Sequence, residues 1–197
     1  MAEEKAKGDV EVVEPTAAAQ SNARRIAESK ATVPHIHLEV EAAGSPSISQ
    51  IVRACALALR EHPRVNGAYR DGRFELYSRT NIGVAVPSHD TVVFPTIHDA
   101  DAKEADEIAA ELDALAERAR DGQITQPQLS GGTFSLVDLR PQEIARGTGV
   151  VRGGQAAQLV VGTGQRGATL SLACDGRILQ GAEPAEFLDR VRRLAEG

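Results

Sequence analysis

Val33-Pro34-His35-Ile36-His37-Leu38-Glu39-Val40-Glu41 alternates apolar and polar side chains without interruption from Pro34 onward. A strand turns successive side chains to opposite faces, so Ile36, Leu38 and Val40 share one side and His35, His37, Glu39 and Glu41 the other. The stretch predicts a strand with one face in a core. Its other face carries two imidazoles and two carboxylates, which calls for a polar channel or a partner surface.

Working outward, Ser47-Ile48-Ser49-Gln50 opens a helix to about His62, with Ile51, Ala54, Cys55, Ala58 and Leu59 on one stripe. Pro63 ends it. Short strands follow at 68–69 and 74–78 around an Asp71-Gly72 turn, then β-rich runs at 82–86 and 92–97. Lys103 to Arg120 predicts the longest helix, closed by Gly122. Strands are expected at 133–139, 158–162 and 168–174, and a last amphipathic helix at 184–194. Upstream, Ser21 is expected to cap a short helix over 22–30, and residues 1–20 read as a flexible arm before one α/β domain over 21–197.

The 197 residues suit a single core, and with no Trp that core must come from Val, Leu, Ile and Ala. A net charge of -6 argues against a nucleic-acid partner. Cys55 and Cys174 lie in apolar runs and read as buried thiols; no Cys or His cluster predicts a metal site. The Met1-Ala2-Glu3-Glu4-Lys5 start is no signal peptide, and no run approaches the ~20 apolar residues of a membrane span. No membrane partner is expected, and the default compartment is cytoplasmic.

Several runs then resemble one family in order and spacing: ARRIAESKATVPH (23–35), ALALREHPRVN (56–66), IGVAV (82–86), VVFPTIHDAD (92–101), EIAAEL (107–112), AERARDG (116–122), GGTF (131–134), QAA (155–157) and LSL (170–172). Together, over about residues 22–196, they resemble the catalytic core of the dihydrolipoamide acyltransferases of the 2-oxo acid dehydrogenase complexes. The resemblance implies a chloramphenicol acetyltransferase-like α/β fold: a mixed β-sheet sandwich with helices on one side. It also implies a homotrimer, with active sites between subunits and coenzyme A as the one candidate cofactor, entering one end of a channel.

The family's motif is Asp-His-Arg-x-x-Asp-Gly, and this chain reads Asp175-Gly176-Arg177-Ile178-Leu179-Gln180-Gly181. Gly176 thus stands at the base position and Gln180 at the orienting carboxylate. The hydroxyl that would donate to a tetrahedral oxyanion falls on Val137, while Ser135 is expected to face the other way. The neighbouring lipoyl and subunit-binding domains of the family are also absent from these residues.

His35 and His37 are then the sharpest remaining features. One interpretation makes them hydrogen-bonded structural residues. The other makes His37, with His35 beside it, a replacement base on the channel wall, with Asp175 as a polar contact. Val137, Gly176, Arg177, Gln180 and Ser135 are the expected substrate-binding positions. The expected function is a repurposed enzyme acting on a small acyl or polyketide-like substrate in a biosynthetic pathway. The alternative is a non-catalytic structural or binding trimer.

Overall fold

The computed structural model describes residues 8–197. Its first element is α1, Ala17–Thr32, capped by the Thr16 hydroxyl, which accepts the Ala19 N–H at 3.1 Å. The sequence reading ended its arm at residue 20, which falls inside this helix; residues 1–7 of that arm lie outside the described residues. The early start has a tertiary cause. Asp90 accepts the Thr16 N–H at 2.9 Å and the Thr16 hydroxyl at 2.7 Å, fixing the cap from a distant hairpin. Ser29 is the helix's one buried residue, so no apolar stripe announces it.

The remaining elements are β1 (His35–Ala43), α2 (Ile48–Glu61), β2 (Gly67–Arg70), β3 (Arg73–Leu76), β4 (Ile82–Val84), β5 (Val86–Ser88), β6 (Thr91–Val93), β7 (Thr96–Ile97), α3 (Ala105–Arg120), β8 (Phe134–Asp138), β9 (Ala157–Gly164), β10 (Gly167–Asp175) and α4 (Glu183–Ala195). Six strands form a mixed sheet in the order β1-β10-β9-β8-β4-β7. β8 runs parallel to β9 and β4, and the other neighbours are antiparallel. The pairs β2-β3 and β5-β6 stand apart as small hairpins.

Two expected runs are broken. Ala85 separates β4 from β5, and Phe94-Pro95 separates β6 from β7. Proline has no N–H for a ladder, so a strand through Pro95 would lose a bond. The chain bends there instead, and β5 with β6 leaves the main sheet.

Helices α2, α3 and α4 form a layer on one face of the sheet, with α2 packing against both others and α4 against β1. Leu136, Leu159, Val161, Leu170, Leu172 and Cys174 point into that layer and are at most 1% exposed. Leu38 and Val40 pack against the same core, while Ile36 remains 39% exposed. Ser47 and Gln50 form the expected capping box of α2. Both cysteines are buried and free.

The opposite face of the sheet carries His35, His37 and Glu39 on β1, Gln158 and Val160 on β9, and Ser135 and Val137 on β8. The segment after β8 folds back over this face. Gly162 permits the close approach: a Cβ there would lie 2.1 Å from the Ala145 carbonyl oxygen. Among the described residues, no helix is long and apolar enough to cross a membrane, and no three His, Cys, Asp or Glu side chains are grouped to hold a metal.

Candidate functional site

Above β8 and β9 lies a cavity of about 680 Å³. Its floor is Ser135 and Val137 from β8, with Gln158 and Val160 from β9. Its sides are Gly83, Phe94 and Thr96 on one hand and residues 148–153 on the other. Asn22, Arg25, Ile26 and Glu28 of α1 complete the lining. Helix α1 is held there at two points: Ser29 donates to the Val151 carbonyl at 2.6 Å, and Asn22 reaches the Thr91 hydroxyl at 3.4 Å.

The floor's polar groups are fixed by their neighbours. The Ser135 hydroxyl donates to Gln155 Oε1 at 2.8 Å, and Gln155 Nε2 donates to the Gly132 carbonyl at 2.9 Å. Gln158 Oε1 accepts the Val150 N–H at 2.9 Å, pinning the segment that walls the cavity. Buried polar side chains satisfied in this way keep one conformation. Val137, Val160, Phe94 and Val92 give the cavity an apolar part suited to a short acyl chain, while Arg25, Glu28 and Arg152 make another part of its lining charged.

Ser135 does not face the other way. It is two residues from Val137, which is the strand's own period, and both open onto the same cavity. Gln155 and Gln158 join the site beyond the residues expected from the sequence. The signal was present for Gln158: it opens an otherwise apolar strand on the face away from Leu159 and Val161.

The histidines do not line this cavity. His35 makes two backbone contacts: its Nε2 accepts the Val151 N–H at 3.1 Å and its Nδ1 lies 2.8 Å from the Val33 carbonyl oxygen. One neutral tautomer satisfies both contacts. His37 stacks on it with ring centroids 5.9 Å apart and is exposed. Loss of some of its hydration, with the nearby Lys30 charge, holds the His37 imidazole below its ordinary value. The pair sits on β1, separated from β9 by β10, which removes it from the cavity wall within this chain.

The loop after β10 is also placed differently from expectation. Asp175 and Arg177 line a second, smaller cavity of about 160 Å³, beside Tyr69 and residues 151–155. Arg177 is locked to Asp175 and lies 4.7 Å over the Tyr69 ring. The Gly176 N–H donates to the Pro34 carbonyl at 2.9 Å, and Gln180 Nε2 donates to the Gly176 carbonyl at 3.1 Å. Gly176 and Gln180 line neither cavity. Of the predicted residues, then, Ser135 and Val137 meet in one cavity and Asp175 and Arg177 in the other. Burial raises the Cys174 thiol to about 12, which makes it an inert core group.

Residues 46–197 match the family described as the 2-oxoacid dehydrogenases acyltransferase (catalytic domain). The dihydrolipoyllysine-residue acetyltransferase component 3 of the mitochondrial pyruvate dehydrogenase complex of Arabidopsis thaliana is 32% identical over 211 residues, covering 88% of this chain and 39% of that protein. The corresponding component of Zymomonas mobilis is 29% identical over 207 residues, covering 88% of this chain and 47% of that protein. The chain thus spans about two fifths to one half of these relatives.

In structure, the Azotobacter vinelandii dihydrolipoamide acetyltransferase superposes with a TM-score of 0.91 at 24% identity, covering 98% of this chain and 94% of that one. A serine, a histidine and an asparagine have been studied in that protein's catalytic mechanism. A chloramphenicol acetyltransferase shares the fold at a TM-score of 0.53 and 13% identity, covering 87% and 94% of the two chains.

These relatives overturn the expectation of a biosynthetic enzyme acting on polyketide-like substrates, because they are named as acetyltransferase components of the pyruvate dehydrogenase complex. They lend no better support to a non-catalytic trimer. With a mitochondrial and a bacterial protein among them, they do not fix the compartment.

Proposed function

Since this chain belongs to the 2-oxoacid dehydrogenase acyltransferase family, we propose that it exchanges an acyl group between two thiols, seating the acyl chain in the cavity over β8 and β9. The observation that carries this is the cavity itself: about 680 Å³, with apolar walls at Val92, Phe94, Val137 and Val160 and the Ser135 hydroxyl in its floor. Coenzyme A enters as the thiol of the donor thioester, and dihydrolipoamide, named for the relatives, is the proposed acceptor.

The chemistry follows from what lines the cavity. No histidine is among the lining residues, so the acceptor thiol supplies its own nucleophile by ionising. Only a small fraction of such a thiol is ionised at pH 7, but the thiolate is strongly nucleophilic. The thiolate sulfur attacks the thioester carbonyl carbon, and the oxygen gains the charge. The Ser135 O–H turns from Gln155 to donate to that oxygen. When the carbonyl re-forms, the original C–S bond breaks and the first carrier leaves as thiolate, which takes up a proton from water. Holding both partners in line supplies the acceleration. Its rate is expected to fall about two to four powers of ten below that of an enzyme with a general base.

A homotrimer built on a core over residues 21–197 belongs to the same proposal. Solved relatives include the cubic core of a pyruvate dehydrogenase multienzyme complex. Phe74 and Leu76 on the β2-β3 hairpin are 49% and 52% exposed, apolar area that a neighbouring subunit would cover. In that assembly the exposed His37 face of β1 would meet a partner.

The test is acetyl transfer from acetyl-coenzyme A to dihydrolipoamide. The expected rate exceeds the buffer reaction, saturates in both substrates and keeps rising with pH as the acceptor thiol ionises. No rate above buffer would overturn the proposal, and light scattering that gives a monomer at micromolar concentration would overturn the trimer.

A further inference from the structure

Arg152 stands at the junction of the two cavities and lines both. It is half-buried, and its guanidinium carbon lies 4.0 Å from the centroid of the Phe94 ring. Arg140, Arg146 and Arg177 each hold a carboxylate; among the described residues Arg152 has no salt-bridge partner and no side-chain hydrogen bond. Arg25 of α1 lines the same two cavities and is likewise without a carboxylate partner among the described residues. Glu28 is the one carboxylate lining the large cavity, and it pairs with neither arginine.

A guanidinium offers five N–H donors in a planar fork and cannot shed its charge in ordinary conditions. Taken partly out of water without a partner, it carries an uncompensated desolvation cost. Burial and the nearby charge of Arg25 hold Arg152 below its ordinary value. Phe94 supplies a cation–π platform that orients the fork, but the ring meets none of its hydrogen-bonding capacity. The unmet demand in the cavity is for a planar or tetrahedral oxyanion.

We propose that Arg152, backed by Arg25, forms an oxyanion subsite at the junction of the cavities, which takes a carboxylate or phosphate carried by the ligand of the large cavity. The subsite deepens the acyl-exchange reading and rests on it. The anion is either the far end of the acyl group or a phosphate of its carrier, and Arg152 would select for it.

Isothermal titration at low ionic strength tests this without any transfer reaction, using succinate, inorganic phosphate and the uncharged succinamide as probes. Succinate is expected to bind and succinamide to give no heat. Arg152→Gln is expected to weaken succinate at least about tenfold, as loss of a charge-assisted fork does, with Arg152→Lys falling between. Phosphate binding more tightly than succinate, with the same loss in Arg152→Gln, supports the subsite and assigns it to a phosphate. Succinate bound equally by Arg152→Gln and the parent overturns the proposal, as does equal binding of succinate and succinamide. Circular dichroism establishes that the variant folds; should it not, Arg25→Gln on the exposed side of α1 is read for the same loss. If transfer is absent while succinate binding depends on Arg152, the exchange reading falls and the subsite stands.

Discussion

Arg177 grips Asp175 through two prongs, Nε to Oδ1 at 2.9 Å and Nη2 to Oδ2 at 2.7 Å, with the Asp175 side chain only 1% exposed. The Arg177 backbone N–H adds a third donor at 2.9 Å. This pair, at the end of β10, gives the following loop its shape, and the donation of the Gly176 N–H to the Pro34 carbonyl ties that loop to the start of β1.

Removing one partner leaves a buried charge unmet, which costs more than the pair contributes. Arg177→Ala is therefore expected to lower unfolding stability by about 2–4 kcal/mol in urea titration. Asp175→Asn, which keeps the shape and accepts one donor, should cost less. Equal, small losses for both would show the pair to be dispensable.

Gly176→His places the family's imidazole at its motif position, yet little transfer activity should return. A Cβ at this glycine meets the Pro34 carbonyl oxygen at 3.0 Å and two Ile36 carbons at 3.1 and 3.2 Å. The loop must shift, at a cost of about 1–3 kcal/mol. The side chain would also start from a position that does not line the large cavity. A transfer rate raised by two powers of ten, about the usual contribution of a general base, would contradict this.

Val137→Phe should fill the floor of the large cavity. Acetyl exchange is then expected to fall more than about tenfold, since displacing a substrate by an ångström can cost far more than its contacts. Because Val137 is only partly buried and faces open space, the melting temperature should stay within a few degrees. Unchanged exchange with an intact fold would place the reaction elsewhere.

Cys174 sets an alkaline limit. Its thiol ordinarily ionises near 9.0 and is pushed up to about 12 by burial, with the neighbouring Asp175 charge adding to the effect. A folded value raised above the unfolded one means that the stability due to the neutral buried thiol is full below pH 9. It is then lost as pH rises toward 12, because the unfolded chain releases the proton first. Stability should therefore fall by about 1.4 kcal/mol per pH unit in that window for this group. Cys55 shifts in the same direction. Urea unfolding of Cys174→Val and of the parent at pH 8, 9 and 10 should show a shallower decline in the variant.

The alternations of Leu38 and Val40, and of Leu170, Leu172 and Cys174, are enough to assign strands and the sides that face the core; Ile36, at the strand's start, stays exposed. The capping box at Ser47 and Gln50 placed the start of α2 in the same way. Local periodicity and capping express the chain's own geometry, so they can be read without knowing what lies across the core. The run of motifs from residue 23 to 172 identified the family for a related reason: their order and spacing survive even where single positions change. Some positions escaped local reading. Thr16, which caps α1, is held in place by Asp90, 74 residues away. Ser135 belongs beside Gln155 and beneath α1 because sheet order and the fold-back of residues 144–153 bring them together. His35 and His37 lie on their strand's polar face, but within this chain β10 stands between β1 and the strands that floor the cavity. Periodicity fixes which way a side chain points; which strand lies next to it, and what covers that face, are decided by long-range packing that no local window contains.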